Sequence, residues 1–284
     1  MNVAHPTLTS SLEAARVARI AVAATAPFGA DVLERLAATY EVTCLLTRPD
    51  APRGRGRSLA PPPAKVVAER LGIPVVQPER PREGLDLGAP GAVIVCAYGL
   101  LLPEALLEQG VWLNVHPSLL PAWRGAAPVE RAMLAGDTET GVTIHQTVKE
   151  LDAGPIVAQE AFPIGHEDDA GAIFARAAEV AARLLADVLD APNRTFTPQS
   201  DIGVTYAGKI DASDRMLDLT RPADELVRRV RALSPHIGAR AQLHGRPVTV
   251  WRARVGEGGG FEPLEVQPDG GRRMDVGDWL RGLR

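Results

Sequence analysis

An asparagine and a histidine two positions apart are the residues of this sequence best suited to chemistry. Asn114 and His116 follow the apolar run 111–113, and a strand there would direct both side chains to one face at its carboxyl end. Open α/β sheets bind ligands at that edge. Acyl transfer needs a group that steadies an oxyanion, as an amide can, and one that moves a proton, as an imidazole can. For an Asn-x-His pair taken alone, capping of backbone groups is the commoner role.

A carboxylate follows in the segment VKELDAGPI, residues 148–156. Asp152 comes just after a predicted strand at 142–146 and just before Gly154 and Pro155. In that position it could orient or charge the imidazole of His116. Taken alone, an aspartate before Gly-Pro is most often a turn former.

An arginine-rich segment, RPDAPRGRGR, covers residues 48–57. Its arginines alternate with glycines, so a mobile loop could bring several guanidinium groups to phosphate oxygens. The alternative is a solvated loop whose charge keeps it soluble.

Two other polar residues are less informative. Arg124 could be a ligand or a packing residue at a helix start, and His145 is expected to be a structural histidine within the strand VTIHQ.

These residues require a sheet that positions them. From about Arg19 to Gln146, short apolar runs alternate with amphipathic stretches, a pattern typical of βαβ units in a parallel sheet. A helix at 170–189 continues the Ala/Leu periodicity. The polar segment 190–203 holds two prolines and no periodicity, which predicts a linker. Beyond it, one helix pattern and several extended runs predict a small, partly β domain.

The composition agrees with an α/β protein of this size. The 284 residues suffice for one substantial domain and a smaller one, and 45% hydrophobic but only 4% aromatic residues favour helices on a parallel sheet. Cys44 and Cys96 lie in apolar runs, so we expect buried thiols in a reducing, cytoplasmic compartment. We see no signal peptide or membrane span.

The charge excludes a general nucleic-acid binder. A net charge of −4 leaves no broad positive field, so any contact with a polyanion must be local. Basic residues slightly outnumber acidic ones from residue 200 onward, which makes the C-terminal part the more favourable one for such a contact.

Several long segments together resemble the methionyl-tRNA formyltransferase family. They are RPDAPRGRGRSLAPPPAKVVAERLGIPVVQPER, VCAYGLLLPEALL, LNVHPSLLPAWRGAAPVERAMLAGDTETGVTI, LDAGPIVAQE, TYAGKI and PVTVWRA. The resemblance runs from about Arg19 to the C-terminus, and the stretch 114–144 is its most specific part.

The resemblance implies an α/β fold with two domains. A Rossmann-like formyltransferase domain with a parallel-rich sheet would occupy residues 19–189, after an N-terminal extension at 1–18. A linker at 190–204 would lead to a small, OB-like, β-rich C-terminal domain at 205–284 that binds tRNA.

The resemblance also implies the site and its substrates. The formyl donor would be 10-formyltetrahydrofolate, the acceptor the α-amine of initiator methionyl-tRNA, and no metal would be needed; we expect a monomer without membrane association. The residues matching the family's catalytic trio are Asn114, His116 and Asp152. Those matching its folate loop are Ser118, Leu119, Leu120 and Pro121. Those expected near the tRNA are Arg53, Arg55 and Arg57.

Three features depart from the family pattern. The glycine of a Gly-Thr-Pro pattern after the first strand is replaced in the segment 24–28, ATAPF, so the first βα turn could be shaped differently. The N-terminal extension has no counterpart in the family. Only five residues, 256–260, stand where the family has a further pair of strands, which predicts a truncated C-terminal domain with an incomplete barrel and exposed edges.

Two other functions compete with this interpretation. An N-formyltransferase acting on an amino-sugar nucleotide would use the same Asn-His-Asp chemistry, but it would not need the arginine-rich loop or the TYAGKI and PVTVWRA segments. A non-catalytic tRNA- or folate-binding protein with this fold is the alternative of another class, and the intact trio argues against it.

Overall fold

The computed structural model of the protein describes residues 17–53, 58–191 and 193–283, without the side chain of Arg53. Most of the expected N-terminal extension lies outside these residues, and only its last two positions are described. Arg55, Arg57 and the side chain of Arg53 also lie outside them.

The chain alternates strands and helices through its first two thirds. The strands are β1 Arg19–Ala24, β2 Glu41–Leu46, β3 Ala51–Arg53, β4 Ser58–Ala60, β5 Val75–Val76, β6 Ala92–Cys96, β7 Trp112–His116, β8 Arg124–Gly125, β9 Glu139–Gln146, β10 Ile156–Pro163, β11 Tyr206–Ala207, β12 Ala239–Leu243, β13 Arg246–Val255, β14 Phe261–Pro268 and β15 Met274–Asp275. The helices are α1 Pro27–Ala37, α2 Pro63–Arg70, α3 Glu104–Leu107, α4 Pro128–Ala135, α5 Ala170–Asp190, α6 Ala223–Leu233 and α7 Val276–Arg281.

The large sheet has seven strands in the order β10-β9-β7-β6-β1-β2-β5. The pairs β1–β2, β1–β6, β6–β7 and β2–β5 are parallel, whereas β9 runs antiparallel to β7. All five residues of β6 are buried, and only the first residue of β1 is exposed, as expected of parallel strands covered on both faces. The predicted α/β class with a parallel-rich sheet is confirmed.

The first βα turn keeps a close approach of helix and sheet despite its altered sequence. Helix α1 begins at Pro27, a favourable residue for a first helical turn. A Cβ at Gly29 would lie 2.4 Å from the carbonyl oxygen of Cys96, at the end of β6. The glycine that this packing requires is therefore within the helix rather than at the end of β1.

The C-terminal sheet is small and antiparallel, with four strands in the order β12-β13-β14-β15. The five residues 256–260 close the β13–β14 hairpin, and Gly259 takes the positive φ of +76° that such a turn favours. Helix α6 packs against β13, and the core includes Val230, Val250 and Trp279. In the described part of the chain β12 and β15 are its two edges, so the predicted small β-rich domain is confirmed as an open sheet.

The described residues form two compact units that are not continuous in the chain. The first contains residues up to Pro121, Val142–Glu160 and Ala177–Gly203. The second contains Ala122–Gly141, Ala161–Arg176 and the chain from Val204 onward. The boundaries expected from the sequence at 18, 189 and 204 stay a prediction.

Both cysteines are buried, as predicted. Cys44 is 3% exposed and Cys96 is fully inaccessible. Burial raises the pKa of the Cys44 thiol to about 11 and also raises the pKa of the Cys96 thiol. Both side chains therefore serve as small apolar packing groups.

Within the described ranges, every helix is too short or too polar to cross a lipid bilayer.

Candidate functional site

The candidate site is at the carboxyl end of β7, in the first compact unit. Asn114 lies next to Val95 of β6 on one side and opposite His145 of β9 on the other. His116, the last residue of the strand, is 4% exposed. Because side chains two positions apart share a face of a strand, β7 presents the amide and the imidazole together.

Asp152 completes the group predicted from the sequence. It has a φ of +49° in the loop after β9, and its Oδ1 accepts a 3.0 Å hydrogen bond from Nδ2 of Asn114. Its Oδ2 lies 3.6 Å from Nδ1 of His116. That distance is an ion-pair contact for a protonated imidazole but is too long for a hydrogen bond, and catalytic contacts are often long in the absence of substrate.

The loop that carries Asp152 is clamped by a residue that the sequence did not single out. Gln199 donates from Nε2 to the carbonyl oxygens of Asp152 and Gly154, each at 2.8 Å. Close by, Thr197 and Ile156 exchange two backbone hydrogen bonds of 2.8 Å. These contacts hold an uncommon left-handed conformation of a non-glycine residue.

His145 also belongs to the site, although the sequence suggested a structural role. Its ring is 1% exposed and lies edge-on to that of His116, with 6.4 Å between the ring centroids. Nε2 of His145 is 3.0 Å from Nδ2 of Asn114 and 3.7 Å from Oδ1 of Asp152. The pairing of β9 with β7 would have indicated this role, because a residue directly opposite Asn114 must contact it.

The loop at 118–121, predicted to contact folate, is held through its backbone. Thr143 Oγ1 donates to the carbonyl oxygen of Ser118 at 2.7 Å and accepts from the backbone N–H of Leu120 at 3.1 Å. Gln159 donates to the carbonyl oxygen of Leu120 at 2.9 Å and to Thr143 Oγ1 at 2.7 Å. The Leu120–Pro121 peptide bond is cis. Thr143 and Gln159 are thus two further residues that the sequence alone did not identify.

The four loop residues differ in exposure. Ser118 is fully buried and Leu120 is 3% exposed, whereas Leu119 and Pro121 are partly exposed. A ligand against this loop would therefore meet its backbone and the side chains of Leu119 and Pro121 first.

The arginine-rich segment includes a short hairpin. β3 and β4 form a hairpin in which Ala51 pairs with Ala60 and Arg53 with Ser58. Just before it, Asp50 accepts hydrogen bonds of 2.9 Å from Gln77 and Lys65, and these two donors lower the pKa of its carboxyl group. The side chains expected to contact tRNA lie outside the described residues.

Arg124, for which the sequence left two roles open, lies in the second compact unit. It is in the two-residue strand β8, which pairs in parallel with β11. Its backbone N–H donates to the carbonyl oxygen of Thr205 at 2.9 Å. The backbone of this arginine therefore serves a structural role at the start of the α4 segment.

The arrangement suits a transfer reaction that involves charge and protons. An amide, a carboxylate and two imidazoles lie together at the carboxyl end of β7, each with a partner within 3.7 Å. The amide can hydrogen-bond to developing charge, whereas the carboxylate and the imidazoles can also accept or donate a proton. Among the described side chains, no three His, Cys, Asp or Glu residues have the grouping of a metal site.

Known proteins resemble this chain in sequence and in fold. Residues 18–189 match the formyl transferase family, and residues 209–263 match the formyl transferase C-terminal domain. Methionyl-tRNA formyltransferase of Halorhodospira halophila is 43% identical over 300 residues, covering 94% of this chain and 97% of that protein. The enzyme of the same name from Aromatoleum aromaticum is 40% identical, with 93% and 94% covered. HypX from Aquifex aeolicus in complex with tetrahydrofolic acid has a TM-score of 0.62 at 17% identity, covering 94% of this chain and 47% of that one.

Proposed function

The chain belongs to the formyltransferase family, and we propose that it transfers the formyl group of 10-formyltetrahydrofolate to the α-amine of methionyl-initiator tRNA. The observation that carries the proposal is the contact of Asp152 with both Asn114 and His116 at the end of β7. The two relatives at 40% and 43% identity bear the name of this activity and align over nearly the whole chain.

His116, Asp152 and Asn114 have different roles in the reaction. His116, in its protonated form, stabilises the oxyanion that forms on the formyl oxygen, a contribution of about 3 kcal/mol for one well-placed donor. Asp152 holds the imidazolium by its charge and takes part in proton transfer. The side-chain amide of Asn114 forms a hydrogen bond with a polar atom at the reaction centre.

The reaction balances with these groups alone. The neutral amine attacks the formyl carbon and forms the new C–N bond. The proton released by the amine passes to the Asp152 carboxylate. Protonated His116 donates its proton to N10 of the departing folate as the old C–N bond breaks, and Asp152 then returns a proton to His116, so the three residues end as they began. The hydrogen-bonded backbone of the 118–121 loop fits the role of a rigid wall for the folate.

The arginine-rich segment and the C-terminal domain would bind the tRNA. Arg53, Arg55 and Arg57 supply guanidinium groups for the phosphates near the acceptor end, from a loop whose base is held by Asp50. The domain from residue 205 onward, although its sheet is open, would hold the acceptor stem. We propose that the enzyme acts as a cytoplasmic monomer, with 19–189 as its catalytic domain and 190–204 as its linker.

The test is formylation by the purified protein. Incubated with 10-formyltetrahydrofolate and methionyl-initiator tRNA, the protein should yield formylmethionyl-tRNA. His116→Ala should lower kcat at least about 100-fold because an oxyanion donor is lost, whereas His166→Ala, a control at an exposed histidine, should be unchanged.

Three other outcomes would contradict the proposal. Formylation of an amino-sugar nucleotide but not of the tRNA would identify the acceptor as a sugar. Folate and tRNA binding without any transfer would indicate a non-catalytic binding protein. Full activity of His116→Ala would show that the chemistry is elsewhere.

A further inference from the structure

The protonation of His145 is determined by its backbone neighbour. Nδ1 of this ring lies 2.9 Å from the carbonyl oxygen of Gln146. A carbonyl oxygen can only accept a hydrogen bond, so Nδ1 carries the proton. In the neutral imidazole the other nitrogen, Nε2, is then an acceptor.

The acceptor on His145 determines how the Asn114 amide is turned. Nε2 of His145 and Oδ1 of Asp152 each lie 3.0 Å from Nδ2 of Asn114. Both are acceptors, so both require the NH2 group of the amide and would repel its oxygen. An NH2 group has two hydrogens, and the two acceptors use both of them.

We propose that His145 is a positioning residue that keeps the Asn114 amide turned with its oxygen available to the substrate. This inference rests on the proposed function of the site. The amide oxygen would accept a hydrogen bond from the attacking amine, and this bond strengthens as the amine nitrogen gains positive charge during attack. Oxyanion stabilisation, expected from the sequence for Asn114 as well, then falls to His116.

The tautomer of His145 can be measured without any assay of activity. The protein has six histidines, and labelling them with nitrogen-15 permits two-bond proton–nitrogen correlation spectra that distinguish the two neutral tautomers. The His145 signals are those absent from the spectrum of His145→Gln. We expect the form protonated at Nδ1 at neutral pH. The form protonated at Nε2 would overturn the inference, whether or not the protein formylates tRNA.

Variants then test the functional consequence. His145→Leu removes the acceptor, and we expect kcat to fall about five- to tenfold, the effect of one hydrogen bond, with little change in the KM for the folate. His145→Gln can place its side-chain oxygen where Nε2 was, so it should recover most of the lost rate. His166→Leu is the matched control, because that ring is exposed.

The outcomes separate positioning from general packing. A kcat for His145→Leu equal to that of His166→Leu would overturn the proposal, and so would a glutamine variant as impaired as the leucine variant. If His145→Leu does not fold, the tautomer of the wild-type protein and the rate of His145→Gln decide the question. Activity absent from the wild-type protein would instead refute the proposed function and leave the tautomer result valid.

Discussion

Replacing Gly154 with alanine would show how tightly the loop of Asp152 is confined. A Cβ at this position would lie 1.8 Å from the carbonyl oxygen of Gln146 and 3.3 Å from Nδ1 of His145. Ordinary contact begins near 3.4 Å, so the loop and the end of β9 would have to separate by about 1.6 Å. The conflict is with backbone, which cannot rotate away as a flexible side chain can.

The expected cost follows from that displacement. The Gln146 N–H donates to the carbonyl oxygen of Pro155 at 2.9 Å, and a separation of this size would break that bond. The broken hydrogen bond and the strain of overpacking should together lower the free energy of unfolding by about 2–4 kcal/mol. Because Asp152 is two residues away, a shift of about 1 Å at its carboxylate should lower kcat/KM roughly 100-fold.

The assay compares Gly154→Ala with Gly110→Ala in urea denaturation and in formylation of methionyl-tRNA. Gly110 belongs to the same compact unit, and a Cβ there would meet no atom within 4 Å. The control should therefore retain both stability and activity. Wild-type stability and wild-type kcat/KM in Gly154→Ala would refute the reasoning, since the loop would then have room that the structure does not contain.

Two further substitutions test other parts of the molecule. Thr143→Val removes the hydroxyl that binds Ser118 and Leu120, so we expect the KM for 10-formyltetrahydrofolate to rise about tenfold, with Thr143→Ser near wild type in steady-state kinetics. Arg131→Met removes the bidentate partner of Asp214 and should cost about 1–2 kcal/mol in urea denaturation at neutral pH. Because the Arg131 guanidinium lowers the pKa of Asp214 from its ordinary 3.8, this stability is present above that pH and is lost as the pH falls through the lowered pKa. A difference between wild type and Arg131→Met that persists undiminished at pH ~2 would contradict this assignment.

Local periodicity was enough to predict much of this protein. The two-residue repeat of a strand brings Asn114 and His116 to one face, and the alternation of apolar runs predicts the parallel-rich sheet. The helix expected at 170–189 is observed as Ala170–Asp190. These features depend on residues close together in the chain, which sequence patterns report directly.

The features that the sequence did not reveal depend on long-range pairing. His145 contacts Asn114 only because β9 runs antiparallel beside β7. The residue pattern within either strand does not indicate which strand lies next to it. Gln199 reaches Asp152 across 47 positions from a segment that looked like a plain linker. The need for a glycine at position 29 was also not predicted, because the close contact there is with Cys96 of β6, far away in the chain.

The discontinuous second unit has a consequence for how the protein is made. Helix α4 buries Val129 and Met133 and packs against α6, and Arg131 of α4 pairs with Asp214. About 90 residues separate the end of α4 from the start of α6, which a ribosome takes roughly 5–18 seconds to synthesise. During that interval the residues of α4 that pack against α6 lack this partner, so part of the apolar side of α4 stays uncovered in the nascent chain until α6 emerges. Premature termination between α4 and α6 would leave that surface uncovered and open to aggregation or to binding by a chaperone.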